Sequence, residues 1–323
     1  MLKNIAVIGC GHWGKNLVRN FFEIGALVAI SDPNKELANK FANDYSVDNL
    51  SFDEILKDKR INGLVLAVPA PLHATMAIEA MNNGKSVFVE KPIAMNEKEA
   101  KEMLKCANKN NVQLMVGHLL QYHPVFIALK NLKESGELGN IQYIYSNRLS
   151  FGKVRSEENI IWSFAPHDIS MILSLVNDKP SSVKTECSSF LQEGISDMAT
   201  IHINFASRIK AHISVSWLHP CKEQKLVVIA DNGMAVFDDT KPWHEKLAVY
   251  RHKVDLSENL PDLQKSEVEY IKVSESEPLR DECYHFTEVV AGNSKPLTCG
   301  EEGLRVLNVL EAASQSMKNE INN

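Results

Sequence analysis

Residues 6–14 read AVIGCGHWG, an apolar run that ends in Gly9, Gly11 and Gly14. The spacing G-x-G-x-x-G constrains this chain more than any other feature in it. Gly9 permits a tight turn, Gly11 lets backbone N–H groups approach a pyrophosphate, and Gly14 lets a helix pack closely on the strand before it. A helix that begins there points its partial positive charge at the phosphates. His12 and Trp13 fill the places between the glycines and join them as cofactor-binding candidates. A glycine turn alone is weak, but here an apolar run precedes it, a helical pattern follows it, and Asp32 closes the next apolar run, ALVAISD. Asp32 can accept hydrogen bonds from ribose hydroxyls and would repel a 2′-phosphate, so NAD is the expected cofactor, with Lys35 tempering the preference over NADP.

From Met1 to about Leu119, short apolar runs (KNIAVIG, ALVAISD, GLVLAVP, SVFVEKP, VQLMVGH) alternate with amphipathic stretches. That alternation predicts an α/β domain over 1–119, a doubly wound parallel sheet with helices on both faces. Over 120–323 the apolar period changes to two. Strands are expected in IQYIYSNRLS, ATIHINFAS, KAHISVSWL, KLVVIADNG and KLAVYRHKV, with helices in HPVFIALKNLKES and NIIWSFAPHDISMILSLVN. The expectation is an α+β domain with a large, mostly antiparallel open sheet. Helical spacing returns from Arg280 to Lys318, a tail expected to pack back on one of the two domains, and SENLPDLQKSEVEY is expected to be a solvated loop.

With 323 residues, 44% of them hydrophobic, the chain can bury a sizeable core in two domains. Its net charge of −6 argues against a general nucleic-acid or anionic-membrane surface, each of which needs a basic excess. No run of about 18 apolar residues appears, and MLKNIAVI leads straight into a strand pattern, so a cytoplasmic protein is expected. The six cysteines form no C-x-x-C pair and are expected to be reduced thiols. No His, Cys and carboxylate set completes a zinc geometry, so no metal is expected. His118 or Tyr122 could line a cleft where the first domain leads into the second.

Two later apolar runs end in VPAPLHA and VEKPIA. They bring Pro69, Pro71, His73, Glu90 and Lys91 to the carboxyl edge of the sheet, where doubly wound folds bind ligands. Through GCGHWG, Asp32, the proline turn with His73, the tripeptide EKP at 90–92, PHD at 166–168 and the closing PLTCGEEGLRVLNVLEAA, the whole chain resembles the Gfo/Idh/MocA family of nicotinamide-dependent sugar oxidoreductases. The resemblance implies a Rossmann domain that binds the dinucleotide and an open-sheet domain for the sugar. It also implies that Lys91 lies close to the reacting carbon and that homo-oligomers, dimers or tetramers, form through the open sheets.

Oxidising a carbinol requires a group to take the hydroxyl proton and a site that holds the carbon about 3–3.5 Å from the hydride acceptor. Lys91 and His167 are the candidates. Histidine titrates near neutrality unaided, so His167 is assigned as base or relay and Lys91 as the group that polarises the reacting oxygen, with the roles open to exchange. Many relatives carry an aspartate four residues before this histidine; here the position is Ser163. Asp168 projects about 100° away and does not replace it, and is read instead as capping backbone or binding a substrate hydroxyl. Arg148, Lys153, Arg155 and Asn159 form a local basic stretch suited to a diphosphate, and Trp162 could stack on a uracil or a sugar.

Subfamilies that act on UDP-linked amino sugars resemble this stretch. The expected reaction is therefore NAD-dependent oxidation of a secondary hydroxyl, C3, of a UDP-N-acetylhexosamine such as UDP-GlcNAc, giving a ketone that an aminotransferase could use. The alternatives are a dehydrogenase of a free sugar or inositol, and a non-catalytic sensor that binds dinucleotide and sugar.

Overall fold

The computed structural model describes residues 4–152, 154–255 and 260–321, with side chains as far as Met317. The chain divides into two compact units, one of Met1–Tyr122 with Ser276–Leu307, the other of His123–Glu275 with Asn308–Asn323.

In the first unit, strands β1 (Ile5–Ile8), β2 (Leu27–Ser31), β3 (Asp48–Asn49), β4 (Gly63–Leu66), β5 (Ser86–Glu90) and β6 (Leu114–Gly117) form one parallel sheet in the order β3-β2-β1-β4-β5-β6. Every residue of β1, β4, β5 and β6 is buried, as expected of strands covered on both faces. The intervening helices are α1 (Gly14–Glu23), α2 (Lys35–Tyr45), α3 (Phe52–Lys57), α4 (His73–Asn82) and α5 (Glu97–Asn110). Their boundaries follow local chemistry. Asn34 and Asn96 cap α2 and α5 with their side chains, and Ser51 and Glu54 form a reciprocal capping box on α3. The strand order reverses between β1 and β4, which opens the crevice where such sheets take a dinucleotide.

The second unit begins with α6 (Pro124–Glu134), β7 (Ile141–Phe151) and α7 (Ile160–Val176). Strands β8 (Pro180–Ser188), β9 (Met198–Phe205), β10 (Lys210–Ser216), β11 (Leu218–Ala230), β12 (Met234–Asp238) and β13 (Leu247–Tyr250) follow, then the short β14 (Lys253–Asp255), β15 (Asp262–Gln264) and β16 (Val268–Tyr270). The main sheet runs β16-β13-β12-β11-β7-β10-β9-β8, antiparallel except where β7 and β10 pair in parallel. Helix α7 packs on β7, β9 and β10. The inward residues of those strands, among them Ile144, Ile201, Ile203, Ile213 and Val215, are buried, which is the period-two pattern made physical. Helix α8 (Pro278–Val290) belongs to the first unit, and α9 (Gly300–Ile321) starts in the first and ends in the second.

The expectation of a loop over residues 257–270 is corrected in part. Residues 257–259 lie outside the described residues, but β15 pairs with β14 and β16 pairs with β13. Backbone pairing at an exposed edge holds these polar strands, and apolar periodicity carries no signal for that. The polar edge strand β8 was unpredicted for the same reason.

Candidate active site

The glycine turn is built by backbone proximity. Gly9 has φ +92°, and a Cβ there would lie 2.5 Å from the Ala67 carbonyl oxygen; at Gly14 it would lie 1.9 Å from the Gly9 oxygen. Gly11 differs, because a Cβ added there meets no atom of the described residues within 4 Å. The space over Gly11 is therefore open to a ligand. Helix α1 starts beside it with no side-chain cap and no acidic residue in its first turn, so no protein carboxylate offsets the partial positive charge of its N-terminus. These features fit a dinucleotide pyrophosphate.

Asp32 sits just past β2 with each oxygen oriented by backbone: Cys10 N–H donates to Oδ2 at 2.7 Å and Asn34 N–H to Oδ1 at 2.8 Å. A carboxylate so placed retains acceptor capacity for ribose hydroxyls. Burial, reinforced by the Asp32 charge, pushes the Cys10 thiol up to about 12, so Cys10 is an inert thiol.

The EKP turn lies against the glycine turn. Trp13, 40% exposed, donates its indole N–H to the Glu90 carboxyl. Glu90 also accepts the Lys91 backbone N–H at 3.2 Å and covers Gly117, where a Cβ would stand 3.0 Å from its Oε2. Burial raises the Glu90 carboxyl, opposed by Trp13 and the Lys91 charge. Lys91 is partly exposed at the carboxyl end of β5, and its bond to Pro92 is cis. Pro69 and Pro71 flank the turn after β4. His73 is 1% exposed, with Nδ1 at 2.8 Å from the Pro92 oxygen and Nε2 at 2.9 Å from the Val68 oxygen. It can therefore act on a cofactor only through the two turns it joins.

His118 and Tyr122, expected as possible cleft residues, are buried within the first unit. His118 Nδ1 is 2.5 Å from Glu302, and the Tyr122 hydroxyl is 2.9 Å from His285 Nδ1. The β6 turn folds both inward, which spacing alone did not indicate. Glu282 on α8 was also missed. It is 0% exposed, and among the described residues neither of its carboxyl oxygens has a hydrogen-bond partner.

In the second unit, α7 carries Trp162, Ser163, His167 and Asp168. Asn159 is the N-cap, accepting from the N–H groups of Ile161 and Trp162 at 3.1 and 3.3 Å. The Trp162 indole N–H donates to Ser314 at 3.0 Å. Pro166 inside the helix removes the N–H that would meet the Trp162 carbonyl one turn back. Ser163 is buried and His167 partly so, one turn apart.

Asp168, 1% exposed, accepts from Arg148 Nε at 2.5 Å and from the Ser146 hydroxyl at 2.5 Å. It thus anchors β7 to α7 and holds the Arg148 guanidinium in place. Ser146 had no sequence signal beyond its inward place on β7. Arg155 is exposed and pairs with Glu158 at 3.0 Å. Lys153 lies outside the described residues. Among the described residues no group of three or more His, Cys, Asp or Glu side chains could hold a metal.

Residues 3–118 match the Gfo/Idh/MocA oxidoreductase family, NAD-binding Rossmann fold, and residues 126–236 match the Gfo/Idh/MocA C-terminal domain. The chain is 26% identical to the scyllo-inositol 2-dehydrogenase (NAD(+)) of Bacillus subtilis strain 168, covering 97% of this chain and 94% of the relative. It is 24% identical to the UDP-N-acetylglucosamine 3-dehydrogenase of Acidithiobacillus ferrooxidans, covering 93% of each. The solved structure of the Acidithiobacillus enzyme superposes with TM-score 0.85 at 22% identity over 98% of both chains. The aldose-aldose oxidoreductase of Caulobacter crescentus gives 0.82 at 17% identity, over 99% of this chain and 98% of that one. The glycine turn, the strand order and both family matches lead to one conclusion: this chain belongs to the Gfo/Idh/MocA family of NAD-binding oxidoreductases.

Proposed function

We propose that the protein is an NAD-dependent sugar dehydrogenase that oxidises a secondary hydroxyl, C3, of a UDP-N-acetylhexosamine such as UDP-GlcNAc. The observation that carries the reading is the contact between the two turns of the first unit, in which Trp13 of the glycine turn donates to Glu90, the residue before Lys91. A proton-handling lysine is thereby tied to the dinucleotide turn. Bound NAD supplies the hydride acceptor. Gly9, Gly11, Gly14 and the start of α1 hold its pyrophosphate, Asp32 its ribose, and Pro69 and Pro71 border it.

Lys91 holds the reacting oxygen and His167 takes or relays its proton, the two roles being exchangeable. Arg155, Trp162 and the α7 surface receive the rest of the substrate. The ketone product suits an aminotransferase as the next enzyme. We read the enzyme as cytoplasmic, in keeping with six free cysteines, and as a homo-oligomer. The sheet face opposite α7 supports the latter, since it presents Tyr143, Tyr145, His202 and His212 partly or fully exposed. Light scattering on a sizing column checks it, and a monomer refutes it.

A second reading is favoured by one specific observation. Arg148 is engaged by Asp168, which reduces the cationic groups available to a diphosphate and suits an uncharged polyol. The full-length likeness to an inositol dehydrogenase supports the same reading. The test is NADH formation with UDP-GlcNAc, a free amino sugar and scyllo-inositol in parallel, with cofactor recycling. Turnover with inositol alone overturns the nucleotide-sugar assignment, and dinucleotide binding with no turnover on any sugar favours a sensor. Lys91→Met is expected to lower turnover on the order of 100-fold with NAD binding retained.

A further inference from the structure

The face of the large sheet turned away from α7 carries two histidines side by side. His202 on β9 stands opposite His212 on β10, with ring centres 6.0 Å apart, and His212 stands beside Tyr145 on β7, the two rings stacked at 5.3 Å. The Tyr143 hydroxyl lies 2.7 Å from His212 Nδ1 and holds that ring. From Tyr145 the same cross-strand row continues as Val227, Val236, Ala248 and Tyr270. The row points outward, because the residues that alternate with it, Ile201 and Ile213 among them, are buried on the α7 side.

This face is large and apolar enough to need a cover. Tyr270 and Met198 on it are 45% and 43% exposed. Eight strands about 4.8 Å apart span about 35 Å, which over about five residues of strand is on the order of 600 Å² in projection, most of the about 800 Å² that each partner buries in a stable interface. A two-fold contact sets the same patch against itself, and an uncharged patch allows that without a clash of like charges. The charged groups nearest the histidines are mainly cations. Lys184 on β8 is in register with His202, Lys210 lies two residues before His212, and Glu186 lies two residues beyond Lys184, opposite Thr200. On β7 the neutral Tyr143 and Tyr145 face His212, and among the described residues no carboxylate is in register with either ring.

We propose that this face is the contact between two copies of the chain and that His202 and His212 make the contact acid-sensitive, assembled while both rings are neutral and released as they take up protons. This rests on the homo-oligomer reading and gives it a control. With both rings neutral, the row is buried without burying charge. A proton on each ring sets two cations side by side next to Lys184 and Lys210, and the second copy brings the same four. Taking such charges out of water without partners is unfavourable, so the free protomer holds the protons better than the assembly does. Burial already lowers the affinity of His212 for a proton, and the His202 charge acts in the same direction. By linkage, a histidine that binds its proton less well in the assembly contributes fully above its free value of about 6.5, and the contribution is lost as the pH falls.

The test is sedimentation velocity over a dilution series at about pH 8 and about pH 5.5, either side of the histidine range, with circular dichroism at each pH to show that the fold is kept. The wild-type assembly is expected to weaken in acid by about tenfold for each histidine that stays neutral when buried. His202→Gln with His212→Gln is expected to assemble equally well at both pH values. His202→Lys, a permanent cation, is expected to weaken assembly at about pH 8 by at least about tenfold.

An assembly equally tight at both pH values, or an acid release that persists in the double variant, overturns the proposal and leaves the homo-oligomer reading standing. A protein that is a monomer at every pH overturns both. Should the double variant not fold, since His212 is held by Tyr143, His202→Gln alone serves in its place; its position is exposed, and it is expected to reduce the acid response by about tenfold.

Discussion

Arg148 on β7 reaches Asp168 on α7 with its Nε 2.5 Å from the carboxylate, and Asp168 is closed off from solvent with the Ser146 hydroxyl on its other oxygen. The two residues read from the sequence as substrate-binding candidates are thus first of all each other's partners. A buried ion pair of this kind is costly to break from one side, because removing one member strands the other charge.

Asp168→Ala is therefore expected to destabilise the protein by about 3–5 kcal/mol, the usual cost of one-sided removal of a buried pair. Arg148→Met with Asp168→Leu together should recover most of that loss. Urea denaturation of the three proteins checks both statements, and additive losses in the double variant would contradict them.

Gly11 and Gly14 separate binding from folding. Gly11→Ala projects a methyl group into space where no atom of the described residues lies within 4 Å, so its melting temperature should match wild type while NAD affinity falls by about tenfold, or about 1.4 kcal/mol. Gly14→Ala meets the Gly9 carbonyl oxygen and should lose stability as well. Calorimetric titration with NAD and thermal melts give the two readouts.

Asp32→Asn keeps an acceptor for one backbone N–H but loses the charge that favours ribose hydroxyls over a 2′-phosphate. A hydrogen bond to a charged group is worth about 1.5–3 kcal/mol, so the NAD to NADP affinity ratio should fall on the order of tenfold to a hundredfold. Binding titrations with both dinucleotides measure it, and an unchanged ratio removes Asp32 from the ribose site.

Glu282 predicts a pH dependence of stability. Burial, and then repulsion from Glu90 and Glu302, hold its carboxyl well above the ordinary value of 4.5. The folded state therefore binds this proton more tightly than the unfolded state. Its stabilising effect is fully present below about pH 4.5 and is lost as the pH rises toward the folded value. Glu282→Gln, a neutral replacement, should melt like wild type at acid pH and increasingly above it as the pH rises, by at most about 1.4 kcal/mol per pH unit. Melts across a pH series check the sign; a gap that shrinks with pH refutes it.

The sequence was most legible where chemistry and chain order coincide. The glycine turn, Asp32 and the EKP turn each follow directly on a buried strand, so their arrival at one sheet edge follows from parallel topology alone. In the mostly antiparallel second sheet, β7, β9, β10, β11 and β13 were readable from their period of two, while β12, only five residues long, and the polar edge strands β8 and β16 were not. The helix of WSFAPHDIS was equally plain, while the partners of its polar residues were not. Asn159 proved to be its cap, a role that Asn before an apolar run announces, whereas the Trp162 bond to Ser314 spans 152 residues and has no local sign.

By itself, then, the sequence determined the dinucleotide end of this protein, because a phosphate-binding turn is made of backbone and needs only glycine at the places where the backbone comes close. Tertiary structure decided the rest: that Asp168 meets Arg148 twenty residues away, that His73 spans two carbonyls, and that Glu282 is buried with no hydrogen-bond partner among the described residues. The physical reason is common to all three. A side chain's charge and protonation are set by what packs around it, and those neighbours come from strands and helices that are distant in the chain.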